Sequence, residues 1–191
     1  MIVNLKKSGS KFNLPTHQGD AGYDLVAYSE PKIIGKRNEI NPNLWEEIQY
    51  IEYDTNVFIE PLEREIWTSR SDDGAISEFF IHHTDNIYYS LLYPRSSLSK
   101  YNLILANHVG VIDSGYQDSI KLRFKYFAQP KDMIIFMDQV WFKIDESKIY
   151  QKGDKIGQLI FAKHIHPEEI KEVDEFIKSE RDLGGFGSTG K

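Results

Sequence analysis

The chain of 191 residues contains no cysteine. That absence removes disulfides, thiolate nucleophiles and cysteine-ligated zinc together, and it suits a reducing compartment. Long apolar runs are missing too. No stretch approaches the ~20 residues that a membrane-spanning helix needs, and the apolar segment in "MIVNLKKSGSKF" is too short for a signal peptide. Positive charge is in deficit, with 23 Lys and Arg against 29 Asp and Glu and a formal net charge of −6. Such a chain is a poor binder of nucleic acid or membrane, so neither is expected as a partner, and any anion it holds must be met by local cations or by a metal. The expectation is a soluble, intracellular protein. What is present is ordinary for a globular domain, with 40% hydrophobic and 13% aromatic residues and enough chain to bury a core.

The strong local signals are strands. "GYDLVAY", "VFIEPL", "IYYSLLY", "LILANHVGVID", "SIKLRFKYF", "DQVWFKI" and "KIGQLIFAKHI" are short, rich in β-branched and aromatic residues, and bounded by turn residues. In "SIKLRFKYF", Ile120, Leu122, Phe124 and Tyr126 fall on one face, and Lys121, Arg123 and Lys125 on the other. Many short strands at close spacing predict an all-β sandwich, jelly roll or barrel. Residues 31–55 and 127–139 are poorly periodic and read as insertions that decorate the surface as loops or small extra elements. Residues 166–180 have helical spacing at Ile170, Val173 and Phe176/Ile177, with Pro167 suited to a first turn, so local propensity favours a short helix there.

Five places hold residue types that can do chemistry. In "DAGYDLVA", Asp24 sits in an apolar strand, where bonding a backbone amide would also explain it. In "PRSSLSK", Arg95 offers a rigid fork of donors suited to phosphate, and Ser96, Ser97 and Ser99 add hydroxyls. A capped helix start, with a serine as N-cap, explains the same residues and is compatible with anion binding. In "ANHVGVIDSGYQDS", two apolar stretches flank a hairpin-type turn, with Asp113 and Tyr116 on either side of it. Asp113 either stabilises its own turn or orients a water as general base. In "KGDKIGQLIF", Gln158 interrupts an apolar strand, either facing outward or bonding in a directed way. Finally, "RDLGGFGSTGK" places four glycines in eleven residues with Arg181, Phe186, Ser188 and Thr189. Such a segment can wrap a phosphate with its backbone amides or be a plain tail.

Taken in order, "AGYDL", "PRSSL", "NHVGVIDSGY", "GDKIGQLIF" and "RDLGGFGSTG" resemble the five successive motifs of the trimeric deoxyuridine triphosphatase (dUTPase) family, over about residues 12–190. The resemblance implies an all-β, dUTPase-like β-clip or jelly roll. It has a short helix after "PRSSLS", the two insertions within a domain of residues 1–180, and a glycine-rich C-terminal arm, residues 181–191, that orders over substrate. It implies an extended path at 166–180, against local propensity. It implies hydrolysis of dUTP to dUMP and pyrophosphate with Mg²⁺ in a homotrimer with shared active sites, which limits uracil in DNA and supplies dUMP for dTMP synthesis. An enzyme of this family serves in the cytoplasm, in the nucleus or as a virus-encoded protein in a host cell.

By the same resemblance, Asp113 activates the attacking water and meets the 3′-hydroxyl. Tyr116 packs under the sugar and excludes a 2′-hydroxyl. Asn107, Val109, Gly110 and Ile112 read the uracil. Arg95, Ser96, Ser97 and Gln158 hold phosphates, and Asp24 orients metal-bound waters. Arg181, Gly187, Ser188 and Thr189 close on the terminal phosphates, and Phe186 covers the base. The family usually has glycine where Asp118 and Asp182 stand, and Arg and Ala where Lys155 and Gly157 stand.

Three other readings compete. A dCTP deaminase shares the implied fold but needs a glutamate where Arg123 stands. A dUTPase fold can also serve as a regulatory or binding module. Histidine pairs at His164/His166 or His82/His83 are more often packing or surface residues than ligands. A chain ending at residue 180 is expected to assemble as the full chain does but to lose efficient turnover of dUTP. Size-exclusion chromatography and pyrophosphate release check both halves, and full activity of the shortened chain refutes the lid.

Overall fold

The computed structural model describes residues 2–7, 9–62, 64–70, 76–82, 87–136, 138–165, 167–175 and 177. Residues Arg181, Phe186, Gly187, Ser188 and Thr189, expected to form the closing arm, and His83 and His166 of the two histidine pairs lie outside the described residues. Strands dominate. Among the described residues the only helices are 3-10 turns of three to five residues, at Ser96–Lys100, Pro130–Asp132 and Glu146–Lys148. No helix among them is long and apolar enough to cross a membrane.

Two large sheets enclose the core. One runs β11 (Gly110–Ile112), β9 (Tyr88–Pro94), β15 (Lys155–Lys163), β3 (Tyr23–Val26) and β2 (Phe12–Asn13). The other runs β10 (Leu103–Leu105), β12 (Lys121–Tyr126), β5 (Trp45–Asp54), β14 (Gln139–Phe142) and β13 (Met133–Phe136), with β4 (Lys32–Arg37) also on β5. Two further two-stranded pairs complete the fold: β1 (Ile2–Lys7) with β6 (Val57–Leu62), which are distant in the chain, and β7 (Arg64–Arg70) with β8 (Ile76–His82), which are consecutive. Every strand pairing is antiparallel.

The core lies between the large sheets. Leu25, Leu92, Ile156 and Leu159 come from one, and Ile51, Tyr53, Leu103, Leu105, Leu122 and Phe124 from the other. Each such side chain contributes roughly 1.5–3 kcal/mol on burial. The alternation expected of β12 holds, for Leu122 and Phe124 are fully buried and Arg123 and Lys125 point out. Tyr53 packs edge-on against Phe124 and Tyr150 and donates its hydroxyl to the Tyr150 carbonyl oxygen at 2.9 Å. Burial pushes the Tyr53 phenol pKa up, so it stays a neutral donor.

Residues 31–55 differ from their reading as surface decoration. They form the β4–β5 hairpin, and β5 is an interior strand paired with β4, β12 and β14. Ile51 and Tyr53 are fully buried and Trp45 nearly so. The pattern was masked because β5 is bulged: opposite β4 the register shifts between Ile48 and Tyr50 and again between Trp45 and Glu47, so strict alternation is lost along the strand. Residues 127–139 do lie at the surface, with all four residues of β13 exposed. Residues 167–175 contain no helix, so the extended path is right there and local propensity is overridden.

One departure from the family pattern has a packing cause. A Cβ on Gly157 would stand 2.6 Å from Cδ2 of the fully buried Leu122, across the two sheets. Gly157→Ala is therefore expected to destabilise the protein by about 1–3 kcal/mol through overpacking. Leu122→Val, added to it, should recover part of the loss. Chemical denaturation measures both, and an unchanged midpoint in the single variant refutes the contact.

Candidate active site

The expected site residues fall into two groups. The first forms where β3, β9 and β15 lie side by side. The register sets Gln158 opposite Asp24 on one side and opposite Tyr93 on the other. Arg95 follows β9 directly and caps the 3-10 turn with extended backbone. The N-cap is thus the arginine and not a serine, and no side-chain bond caps the turn. This frees the guanidinium, whose Nε lies 3.1 Å from Oδ1 of Asp24, and Lys155 Nζ lies 2.8 Å from Oδ2. Asp24 accordingly bonds side chains, not a backbone amide, and it aims Arg95 with the terminal nitrogens of the fork left for another ligand. A side chain at Gly22 would displace the Gln158 carboxamide from its present position, so the glycine leaves room for that group. Ser99 is turned inward on its own turn, donating to the Ser96 carbonyl oxygen at 3.0 Å.

Two contributors to this group were not foreseen. Lys155 completes the clasp on Asp24. Its signal was the departure from the family's arginine at that position, but its partner is 131 positions away in the chain and only the β3–β15 pairing reveals it. Tyr150 packs behind the cluster, its ring 4.3 Å from that of Tyr101. Burial raises its phenol pKa, and Ser97 and Arg95 are near enough to offset part of that rise.

The second group surrounds a cavity of about 180 Å³ lined by Leu92, Asn107, Gly110, Ile112, Asp113 and Tyr116, among others. The turn before β11 is tight. His108 has φ 58, and the Val109 amide donates to the Asn107 carbonyl oxygen at 2.6 Å. A Cβ on Gly110 would press on the Asn107 amide nitrogen at 3.0 Å, so glycine allows that side chain to lie across the backbone. Val109 is exposed and lies outside the cavity lining, so it is a lesser part of this wall than expected. The Asp113 side chain is exposed and forms no hydrogen bond or ion pair among the described residues, while the turn after it closes through the Tyr116 amide and the Asp113 carbonyl oxygen at 3.1 Å.

The two groups do not meet within one chain. Ile112 pairs with Ser90, which sets Asp113 beside Tyr89, and the two line a common cavity. Arg95 lies six residues further along the same strand, about 20 Å away at the usual strand rise. That gap exceeds what the two side chains can bridge.

Asp118 is locally compensated, and Asp182 lies outside the described residues. Asp118 accepts from Lys121 Nζ at 2.9 Å and from the Ser119 amide at 2.7 Å. Arg123, at the deaminase position, is bound to Glu52 at 2.8 Å and lies over the Tyr50 ring at 4.6 Å. Among the described residues, no group of three or more His, Cys, Asp or Glu is arranged to hold a metal.

The fold and these groups define a class: a jelly-roll β protein with a small hairpin-walled cavity and, a strand's length away, a cationic clasp on one carboxylate. Comparison with known proteins narrows it. The dUTPase family model matches residues 140–190. The deoxyuridine 5′-triphosphate nucleotidohydrolase of Ralstonia nicotianae is 33% identical over 112 residues, which are 58% of this chain and 64% of that one, just under two thirds. The same enzyme of Shewanella loihica is 28% identical over 185 residues, 95% of this chain and 90% of that one. The dUTPase of Staphylococcus bacteriophage 80alpha, solved with dUPNHPP, superimposes with a TM-score of 0.63 at 24% identity, covering 100% of this chain and 99% of that one, and this fixes the jelly-roll fold. The chain is thus similar to dUTPases in sequence and has their fold.

The Asp118–Lys121 pair has a measurable consequence. The hydrogen bond from Lys121 holds the Asp118 carboxyl below its usual range, with the Ser119 amide adding to the effect. A carboxyl with a lowered folded-state pKa supports the fold above its unfolded value and loses that support as pH falls through the lowered one. In Lys121→Met, the Asp118 titration followed by carboxyl carbon NMR should move up toward the ordinary carboxylate range. An unmoved titration means that the pair does not form in solution.

Proposed function

We propose that the protein hydrolyses dUTP to dUMP and pyrophosphate, with each active site shared between neighbouring copies in a homotrimer, and so limits uracil in DNA while supplying dUMP for dTMP synthesis. The observation that supports this most is the separation along β9. The nucleoside-sized cavity with its unpaired Asp113 and the Arg95 clasp belong to one reaction only if different chains supply them. A head-to-tail contact of this kind closes into a ring, and the family's ring has three members.

The chemistry follows from the residues. Uracil enters between Asn107 and the backbone at Gly110–Ile112, and the sugar rests on Tyr116. Asp113, with both oxygens free, accepts a proton from the water that attacks the α-phosphorus. The bond from that phosphorus to the bridging oxygen breaks, and pyrophosphate leaves. Arg95, Ser96, Ser97 and Gln158 of a neighbouring copy hold the departing oxygens, with fixed donors placed where negative charge accumulates. Lys155 adds to this by fixing Asp24 and, through it, Arg95. A magnesium ion arriving with the phosphates would be held through its waters by Asp24, since among the described residues no cage of three or more His, Cys, Asp or Glu is formed. When bound, that ion neutralises phosphate charge. The arm residues Arg181, Phe186, Gly187, Ser188 and Thr189 take the closing roles given above.

Pyrophosphate release from dUTP, dCTP, dTTP and UTP, with ammonia release from dCTP as the rival arm, tests the reaction. Asp113→Asn should lower kcat by roughly 10²–10⁴-fold, the usual worth of a general base, with dUTP affinity little changed. Arg95→Ala should be similarly impaired. Unfolding and refolding the two variants together should restore part of the activity, because mixed assemblies contain sites with both residues intact. No recovery on mixing sinks the shared site, and ammonia in place of pyrophosphate sinks the reaction.

A further inference from the structure

Tyr116 separates two cavities. It lines the small one with Asp113 and also a larger neighbour of about 470 Å³ bounded by Leu105, Asp118 and Arg123. A ring between two open spaces, itself 40% exposed, has little packing to hold it still. Its hydroxyl instead donates to the Ser119 carbonyl oxygen at 3.0 Å. Where the ring sits therefore depends on how firmly Ser119 is held.

Ser119 is held from two sides. It is almost fully buried, at 3% exposure. Its amide donates to Asp118 Oδ1 at 2.7 Å, and its hydroxyl donates to Asp54 Oδ2 at 3.0 Å. Asp54 is fixed in turn. Its Oδ1 accepts the Asn56 amide at 2.7 Å, its amide donates to the Ser29 hydroxyl at 3.0 Å, and its carbonyl oxygen accepts the Tyr28 amide at 2.8 Å. The next residue continues the anchor, because Ile120 exchanges backbone bonds with Thr55 and Val57. The end of β5 thus grips the segment that carries Tyr116, through a charged acceptor that a 65-residue separation hides from the sequence.

We propose that Asp54, acting through Ser119, is a positioning residue that fixes the Tyr116 ring against the sugar and so sets the preference for deoxyribonucleotides over ribonucleotides. This rests on the reading of Tyr116 as the floor under the sugar. A ring free to retreat into the larger cavity leaves room for a 2′-hydroxyl, whereas a ring tied to Ser119 does not.

The test is the ratio of kcat/KM for dUTP to that for UTP. Asp54→Ala and Ser119→Ala should each lower the ratio about tenfold, the worth of one hydrogen bond to a charged group, while kcat for dUTP stays within a few-fold of wild type. Ser119→Thr keeps a hydroxyl, and Asp54→Asn can still accept from Asn56 and donate to Ser119, so both should stay near the wild-type ratio. Circular dichroism and thermal melting confirm that each variant is folded, and Ser119→Ala carries the test if Asp54→Ala does not fold. Equal losses on both nucleotides, or an unchanged ratio, overturn the positioning role alone. A wild type that turns over neither nucleotide overturns the Tyr116 reading and this inference with it.

Discussion

The antiparallel pairing of β9 with β15 is the constraint on which the rest depends. Seven residue pairs, from Gly157 with Pro94 to Lys163 with Tyr88, hold β9 straight in the middle of its sheet. One end of that strand delivers Arg95 to Asp24, and the other supports the hairpin that carries Asp113. Because a strand cannot shorten, the two groups stay a fixed distance apart in any one chain. This separation is what the proposed site between molecules rests on. The other edge of β15 pairs with β3 and brings Gln158 beside Asp24, while Gly157 of the same strand lies over Leu122, so site and core share the register of β15, and a slip of one residue would turn Gln158 inward and spoil both.

How much of this was legible in the sequence varies with the range of the interaction involved. The alternation in β12 is local, and it predicted which side chains enter the core. The turn after Asp113 and the short helical turn after Pro94 were equally visible, since glycine and proline act on their own neighbours, whereas the turn at 106–109 that splits "LILANHVGVID" into two strands was not. β5 was not legible, because two bulges break its alternation and its partners β12 and β14 come far later in the chain. Lys155 looked like a departure of unknown effect, and only the sheet shows that it clasps the carboxylate that also aims Arg95. Residues 167–175 show the opposite failure, where a persuasive local helical pattern finds no apolar surface to pack on.

Charge shows how an acidic chain can still present a cationic site. Arg95 and Lys155 carry two positive charges around the single negative charge of Asp24, a local excess within a chain of net charge −6. On the cavity side, the extra carboxylate of Asp118 is met by Lys121, so the departure from glycine leaves the local charge unchanged. Asp118 and Lys121, three positions apart, act as one unit. A glycine at this turn would supply conformational freedom, whereas the Asp118–Lys121 pair together with the Ser119 amide supplies rigidity in its place.

Rigidity at that turn changes the meaning of the segment at 31–55. A hairpin that only covered the surface would end anywhere without consequence. β5 ends instead on Asp54, whose carboxylate reaches the buried hydroxyl of Ser119, three residues from the ring that floors the cavity. Its penultimate residue, Tyr53, is locked in the core by Phe124 and Tyr150, and Tyr150 packs behind Arg95 and Ser97. One interior strand therefore braces both halves of the site, the cavity wall through its last residue and the cationic clasp through the one before. If the two halves serve different sites, as proposed above, a disturbance of β5 would loosen one wall of one site and one wall of its neighbour together.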